Sequence, residues 1–129
     1  MTDFNILRKR YSEVLCGRGH SGKRTADCIL RSDERTEQRL AQLDTRIEKA
    51  ITSNEPGIVN ATLKGILDIS TSFSQNNSRF YHDENIKNKI FNALNALEKV
   101  YNDTIAPQGN WWYWEIGIPL SLNSIFTLM

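Results

Sequence analysis

Cysteine, histidine, proline and long apolar runs are all scarce in this chain, and each scarcity removes a class of protein. The 129 residues include two cysteines, two histidines and three prolines. A tetrahedral zinc centre needs four closely spaced ligands. Cys16, Cys28, His20 and His82 do not provide that spacing, so neither a metal site nor a cofactor is expected. Cys16 and Cys28 can pair in an oxidising compartment, while two reduced, half-buried thiols are the default. No apolar run approaches the roughly 18 residues of a membrane span, and no membrane partner is expected. The N-terminus, Met1-Thr2-Asp3-Phe4-Asn5-Ile6-Leu7-Arg8, has no apolar segment of the signal-peptide kind. It fits a cytoplasmic protein or one whose leader is not part of this sequence. An excess of one charge is also missing. Sixteen Lys/Arg against fifteen Asp/Glu give a net charge of +1, which supplies no global drive toward nucleic acid or an anionic membrane. Residues 1–40 hold nine basic against six acidic side chains, and a solvated face is the simplest account of that local excess.

Helical periodicity is abundant. Phe4, Leu7, Tyr11, Val14 and Leu15 form one apolar stripe, and Leu40, Leu43, Ile47, Ala50 and Ile51 a second. Val59, Leu63, Ile66, Ile69 and Phe73 form a third, and Ile86, Ile90, Leu94, Leu97 and Tyr101 a fourth. Each follows the i, i+3/i+4, i+7 rule that puts one face of a helix against a core. Asp33 and Glu34 mark the expected start of the second helix, because acids favour the positive end of the helix dipole. Pro56 opens the third, where its missing N–H costs nothing. Gln75-Asn76-Asn77-Ser78 ends the third, Asp83 and Glu84 open the fourth, and Pro107 with Gly109 closes it. Pro119 starts a fifth, apolar helix that runs to Met129 without a cap or polar tail. That ending fits a chain that stops inside a larger domain, or a C-terminal helix docked on the bundle. No strand-like alternation persists. The expected fold is all-α, built of antiparallel helical hairpins.

Several motifs carry less than they first suggest. Gly17-Arg18-Gly19-His20-Ser21-Gly22-Lys23 follows the first seven positions of a phosphate-binding loop, but Arg24 stands where a magnesium-binding hydroxyl belongs. A preceding buried strand is also missing, so a glycine-rich basic surface loop is expected. His82, between Tyr81 and Asp83-Glu84, lies at a loop-to-helix junction with no nucleophile near it, and a capping or exposed role is expected. Asn60-Ala61-Thr62, Asn76-Asn77-Ser78 and Asn102-Asp103-Thr104 are formal glycosylation sequons. Two of them fall within expected helices.

The strongest signal is Asn110-Trp111-Trp112-Tyr113-Trp114-Glu115-Ile116-Gly117-Ile118-Pro119. It holds all three tryptophans within four positions. Neighbouring helical side chains point about 100° apart, so four consecutive rings cannot share one core face. One account is a core plug, since Trp and Tyr bury large areas. The other is a shaped turn, suggested by Gly117 and Pro119 after the rings, with Gly109 and Asn110 supplying the turn and cap. Such a turn presents rings that stack on the apolar faces of sugars while the Asn amide bonds hydroxyl or carboxylate groups.

This segment resembles the Asn-Trp-Trp-acid-aromatic-Glu-Ile-Gly-x-Pro sequence of polysaccharide lyase family 8, which contains hyaluronate, chondroitin AC and xanthan lyases. About ten positions agree in order. Phe4-Asn5-Ile6-Leu7-Arg8-Lys9-Arg10-Tyr11 resembles the family's first helix. The resemblance covers residues 1–129 but only the opening part of the family's sequence. It implies the N-terminal segment of an incomplete α/α toroid, followed in the family by β-sandwich domains. It also implies cleavage of uronic-acid-containing polysaccharides by β-elimination. In that chemistry an Asn neutralises the substrate carboxylate, and Tyr and His act as the acid/base pair. By the same resemblance Trp111 and Trp112 match the aromatic patch that positions the sugar chain, with Asn110 a polar contact beside it. Trp114 is the better candidate for packing. The family's catalytic residues lie beyond residue 129 and His82 does not match them, so no catalytic residue is expected in this chain. The implied partners are an anionic polysaccharide of the hyaluronan, chondroitin or xanthan type and further C-terminal domains of the same polypeptide. The implied location of the parent is secreted or cell-surface. Tyr113 departs from the pattern, standing where the family usually has an acid. A small helical module that docks a protein through its Trp-rich segment is the competing expectation.

Overall fold

The computed structural model describes residues 3–16, 23–53, 55–102 and 112–129, with side chains outside 12–16 and 23–26. Every regular element among them is helical: α1 (Asp3–Cys16), α2 (Lys23–Ser53), α3 (Pro56–Ser74), α4 (Glu84–Leu97) and α5 (Ile118–Leu128). A π-turn, Tyr113–Gly117, leads directly into α5. The expected all-α fold is what the chain adopts.

Helix α3 is the centre of the molecule and packs against all four other helices and the π-turn. Its third-stripe residues Val59, Leu63, Ile66, Ile69 and Phe73 are all buried. At about 1.5–3 kcal/mol for each fully buried aliphatic side chain, this stripe is a main source of stability. Pro56 sits in the first turn, as its lack of an N–H favours. The helix ends at Ser74, just before the Gln75–Ser78 turn. Asp83 caps α4, its carboxylate accepting from the Asn85 and Ile86 N–H groups.

The helices pack in both antiparallel and parallel pairs. Ser32 and Thr36 bond Ser72, and Arg39 pairs with Asp68. Numbers rising along α2 thus meet numbers falling along α3, and the two are antiparallel. Helix α5 runs with α3, since Ser121 bonds Asn60 near one end and Ser74 bonds the Leu128 carbonyl near the other. Helix α1 runs against α5 through Tyr11 with Ser124 and Arg8 with the Thr127 carbonyl.

Three expectations need correction. Helix α2 begins at Lys23, ten residues before the acidic pair taken as its start. Asp33 lies inside it, buried, accepting from the Ser78 hydroxyl at 2.5 Å and the Arg79 N–H at 3.2 Å. The carboxylate therefore serves the turn after α3 and not the dipole of its own helix. The described members of the first apolar stripe do not face a core: Phe4 is 72% and Leu7 64% exposed, and Tyr11 is exposed as well. Among the described residues helix α1 touches α5 and α3, and its described apolar side chains lie open. Finally, Cys28 is exposed and unpaired, not half-buried. The side chains of Val14, Leu15 and Cys16, the loop 17–22 with His20, and Pro107 and Gly109 lie outside the described residues.

Candidate aromatic binding site

The described helical path is already under way at Trp112, before Pro119, and passes through the π-turn into α5. The reason lies in the main-chain bonding around Pro119. In an α-helix the Ile118 N–H would donate to the Trp114 carbonyl. Here it donates to Tyr113 O, one residue further back. The π register would then assign the Trp114 carbonyl to the N–H of residue 119, which proline lacks. That carbonyl is left without a main-chain donor of either register. The Tyr101 hydroxyl donates to it at 2.9 Å, and the Tyr101 ring packs on Trp114 with centroids 4.7 Å apart. Burial pushes the Tyr101 hydroxyl pKa above the ordinary tyrosine value, because the phenolate would lose solvation.

The rings of the segment divide between core and surface. Trp114 is buried at 9% exposure, whereas Trp112 is 41% exposed. Tyr113 is half-buried and meets Trp112 edge-to-face, with centroids 5.4 Å apart at 85°. Both surface rings rest on glycine. A Cβ on Gly57 of α3 would lie in ordinary contact with the Tyr113 ring, at 3.5 Å. A Cβ on Gly117 would come to 2.8 Å from Cζ3 of Trp112, closer than real Cβ contacts allow. The Trp112 ring thus lies directly on the Gly117 backbone. Beneath them is Asn60 of α3, 2% exposed, with its side-chain oxygen accepting from the Ser121 hydroxyl at 3.3 Å.

The result is a supported aromatic surface with Glu115 and Ile116 exposed on the same turn. It can stack on an apolar ligand face but brings no acid/base pair together. His82 stands elsewhere, exposed at a positive φ of 51°, its ring stacked on Tyr81 at 3.9 Å. Among the described residues no three Cys, His, Asp or Glu side chains gather as metal ligands. Asn110 and Trp111 lie outside the described residues, so of the candidate binding residues only Trp112 is placed. Tyr113, at the usually acidic position, packs its ring on Gly57 and Trp112.

Tyr101, Asn60 and Ser121 are the supports that sequence reasoning missed. Tyr101 stood out only as the last member of an apolar stripe, and Asn60 only as part of a sequon. Asn60 is buried in the second turn of α3, where no attached glycan fits. The one available signal was a polar residue beside Val59 on an otherwise apolar stretch of helix. Next to the aromatic surface, Leu63, Leu94, Leu122, Phe126 and Tyr101 line an apolar groove of about 270 Å³.

Comparison with known proteins agrees with this architecture. Residues 26–129 match the model of the polysaccharide lyase family 8 N-terminal α-helical domain. A xanthan lyase of Bacillus sp. (strain GL1) is 28% identical over 138 positions, covering 98% of this chain and 15% of the relative. The chain thus spans about one-seventh of that relative's length. The family match takes in α2 from its fourth residue through α5 and the whole aromatic segment, and the chain belongs to polysaccharide lyase family 8, in the N-terminal α-helical domain of that family.

Proposed function

We propose that this chain forms the aromatic wall of a glycan-binding cleft in a lyase that cleaves uronic-acid-containing polysaccharides by β-elimination. The observation that carries it is the contrast within one helical turn, where Trp114 is buried and Trp112 stays open on a rigid support. A flat indole held in place loses little entropy when a sugar face stacks on it. Trp111 and Asn110 complete the contact in this proposal. The substrate is an anionic polysaccharide of the hyaluronan, chondroitin or xanthan type, and the similarity to a xanthan lyase favours the last. The acid/base groups come from further domains of the same polypeptide, the helices open an incomplete α/α toroid, and the full enzyme acts outside the cell.

The test has two parts. The chain, incubated with hyaluronan, chondroitin sulfate and xanthan, is expected to release no unsaturated uronate by absorbance. Robust turnover abolished by a point mutation within it would overturn the division of labour. In calorimetric titration with xanthan oligosaccharides, Trp112→Ala is expected to weaken binding by about tenfold, a loss of about 1.4 kcal/mol. An unchanged affinity defeats the cleft-wall role.

The competing role is a helical module that docks a protein through the Trp-rich segment. It is favoured by the groove beside Tyr101, with exposed Phe91 and Phe126 at its edge. Sugar affinity indifferent to Trp112, with a protein complex sensitive to it, would select that role.

A further inference from the structure

We infer that Gly117 is the positioning residue for Trp112, and that Tyr101 and Pro119 act through it by holding the turn in its π register. This inference rests on the proposed glycan-binding role only for its consequence in binding; the placement of the ring stands on geometry. Trp112 and Gly117 are five residues apart. In an α-helix, five residues turn the chain about 500°, leaving the two positions about 140° apart around the axis. An indole at the first could not then lie on the backbone of the second. A π-turn closes each hydrogen bond five residues back and brings such positions onto one edge. The Ile118 N–H to Tyr113 O bond shows that register, and the contact follows from it, with Cζ3 of Trp112 2.8 Å from where a Gly117 Cβ would stand. Glycine is therefore required at 117 for want of space, not for its backbone angles, since its φ of −61° suits any residue.

Two groups keep the turn from reverting to α. In an α register the Pro119 ring would crowd the Glu115 carbonyl four residues back, and the Tyr101 hydroxyl supplies the Trp114 carbonyl with the donor that the widened turn takes away. Asn60 and Ser121 fill the layer below, Asn60 Nδ2 lying 3.3 Å from the same Cβ position. A Gly117→Ala side chain thus meets the indole above and a buried amide beside it, and the flexible partner that must move is Trp112. Among the described residues only one of the three helical glycines is tight in this way. Gly65, also mid-helix, has only Arg39 Cδ at 3.6 Å.

The experiment uses the chain labelled with 5-fluorotryptophan, its three fluorine resonances assigned by single Trp→Phe substitutions. Gly117→Ala is expected to shift the Trp112 resonance and raise its solvent-isotope response, leaving the Trp114 resonance in place. Tyr101→Phe is expected to move both, because the turn itself relaxes, and Gly65→Ala neither. Xanthan-oligosaccharide affinity is expected to fall about tenfold in Gly117→Ala and to stay level in Gly65→Ala. A Trp112 resonance unmoved by Gly117→Ala overturns the positioning role. A shifted resonance with no change in affinity, for Gly117→Ala and Trp112→Ala alike, leaves the positioning intact and defeats the glycan-binding proposal instead. Should Gly117→Ala unfold the chain, adding Trp112→Ala is expected to restore helical circular dichroism by clearing the space above the new Cβ, and a double variant that stays unfolded overturns the positioning role.

Discussion

At the scale of single residues, Trp112 and Trp114 differ in kind although only two positions apart, and substitution separates them. Trp114 is buried, and its ring packs on Tyr101. Trp114→Ala is expected to cost about 3–5 kcal/mol, the range for emptying a buried aromatic site, read as a fall in the urea midpoint. Trp112→Ala is expected to change stability by less than about 1 kcal/mol, because much of the ring already meets water. Equal costs for the two would contradict the division into packing and presenting rings. Tyr101→Phe keeps the aromatic contact and removes only the hydroxyl, leaving the Trp114 carbonyl unsatisfied at about 1–3 kcal/mol. The same residue gives a pH dependence of defined sign. With the folded-state pKa raised, the native chain retains a proton that the unfolded chain has released. The stabilisation is complete below the ordinary tyrosine pKa and is lost as pH rises through it toward the raised folded value. Thermal midpoints measured through that window are expected to fall more steeply for the wild-type chain than for Tyr101→Phe.

At the scale of elements, the long helix α2 is fastened to the turn between α3 and α4 by polar atoms. Asp33 holds the Ser78 hydroxyl and the Arg79 N–H, while the exposed Arg79–Glu37 pair beside it contributes little. Asp33→Ala is expected to cost about 1.5–3 kcal/mol, as for hydrogen bonds to a charged group. Amide exchange should accelerate in residues 78–83 before it does in the core of α3; uniform acceleration would show that Asp33 acts on global stability alone. This helix also shows what a sequence can and cannot reveal. Its second half announces itself, because Leu40, Leu43, Ile47 and Ala50 repeat at helical spacing. Its first half packs through Ser32, Asp33 and Thr36, whose partners Ser72 and Ser78 lie about forty residues away, and no local pattern marks a hydroxyl as buried. Helices α3 and α4 were legible through their stripes, Pro56 and Asp83. The aromatic segment was legible as unusual and its Gly and Pro as shaping residues. The widening of one turn by a single residue was not, because it depends on Tyr101 arriving from another element.

At the scale of the whole molecule, cohesion is uneven, and α1 shows it. Periodicity in Phe4, Leu7 and Tyr11 reveals that one face is apolar but not that anything covers it, and here those side chains are exposed. The helix is held to α5 by the Tyr11 hydroxyl with Ser124 at 3.1 Å and by Arg8 to the Thr127 carbonyl at 3.3 Å. Each such bond contributes about 0.5–1.5 kcal/mol net. A helix of fourteen residues is marginal without tertiary support. Local opening of α1 should therefore cost about 1–3 kcal/mol, against the roughly 5–15 kcal/mol expected for global unfolding of a domain. Helix α3, enclosed by every other element, should open only with the whole. Native-state hydrogen exchange across a urea series tests this directly. Amides of α1 are expected to exchange through a small, nearly urea-independent opening, and those of α3 through the global, steeply urea-dependent one. Tyr11→Phe should lower protection in α1 without moving α3. If α1 amides exchange only through the global transition, the helix is an integral part of the cooperative unit, and its exposed apolar face contributes to holding it there.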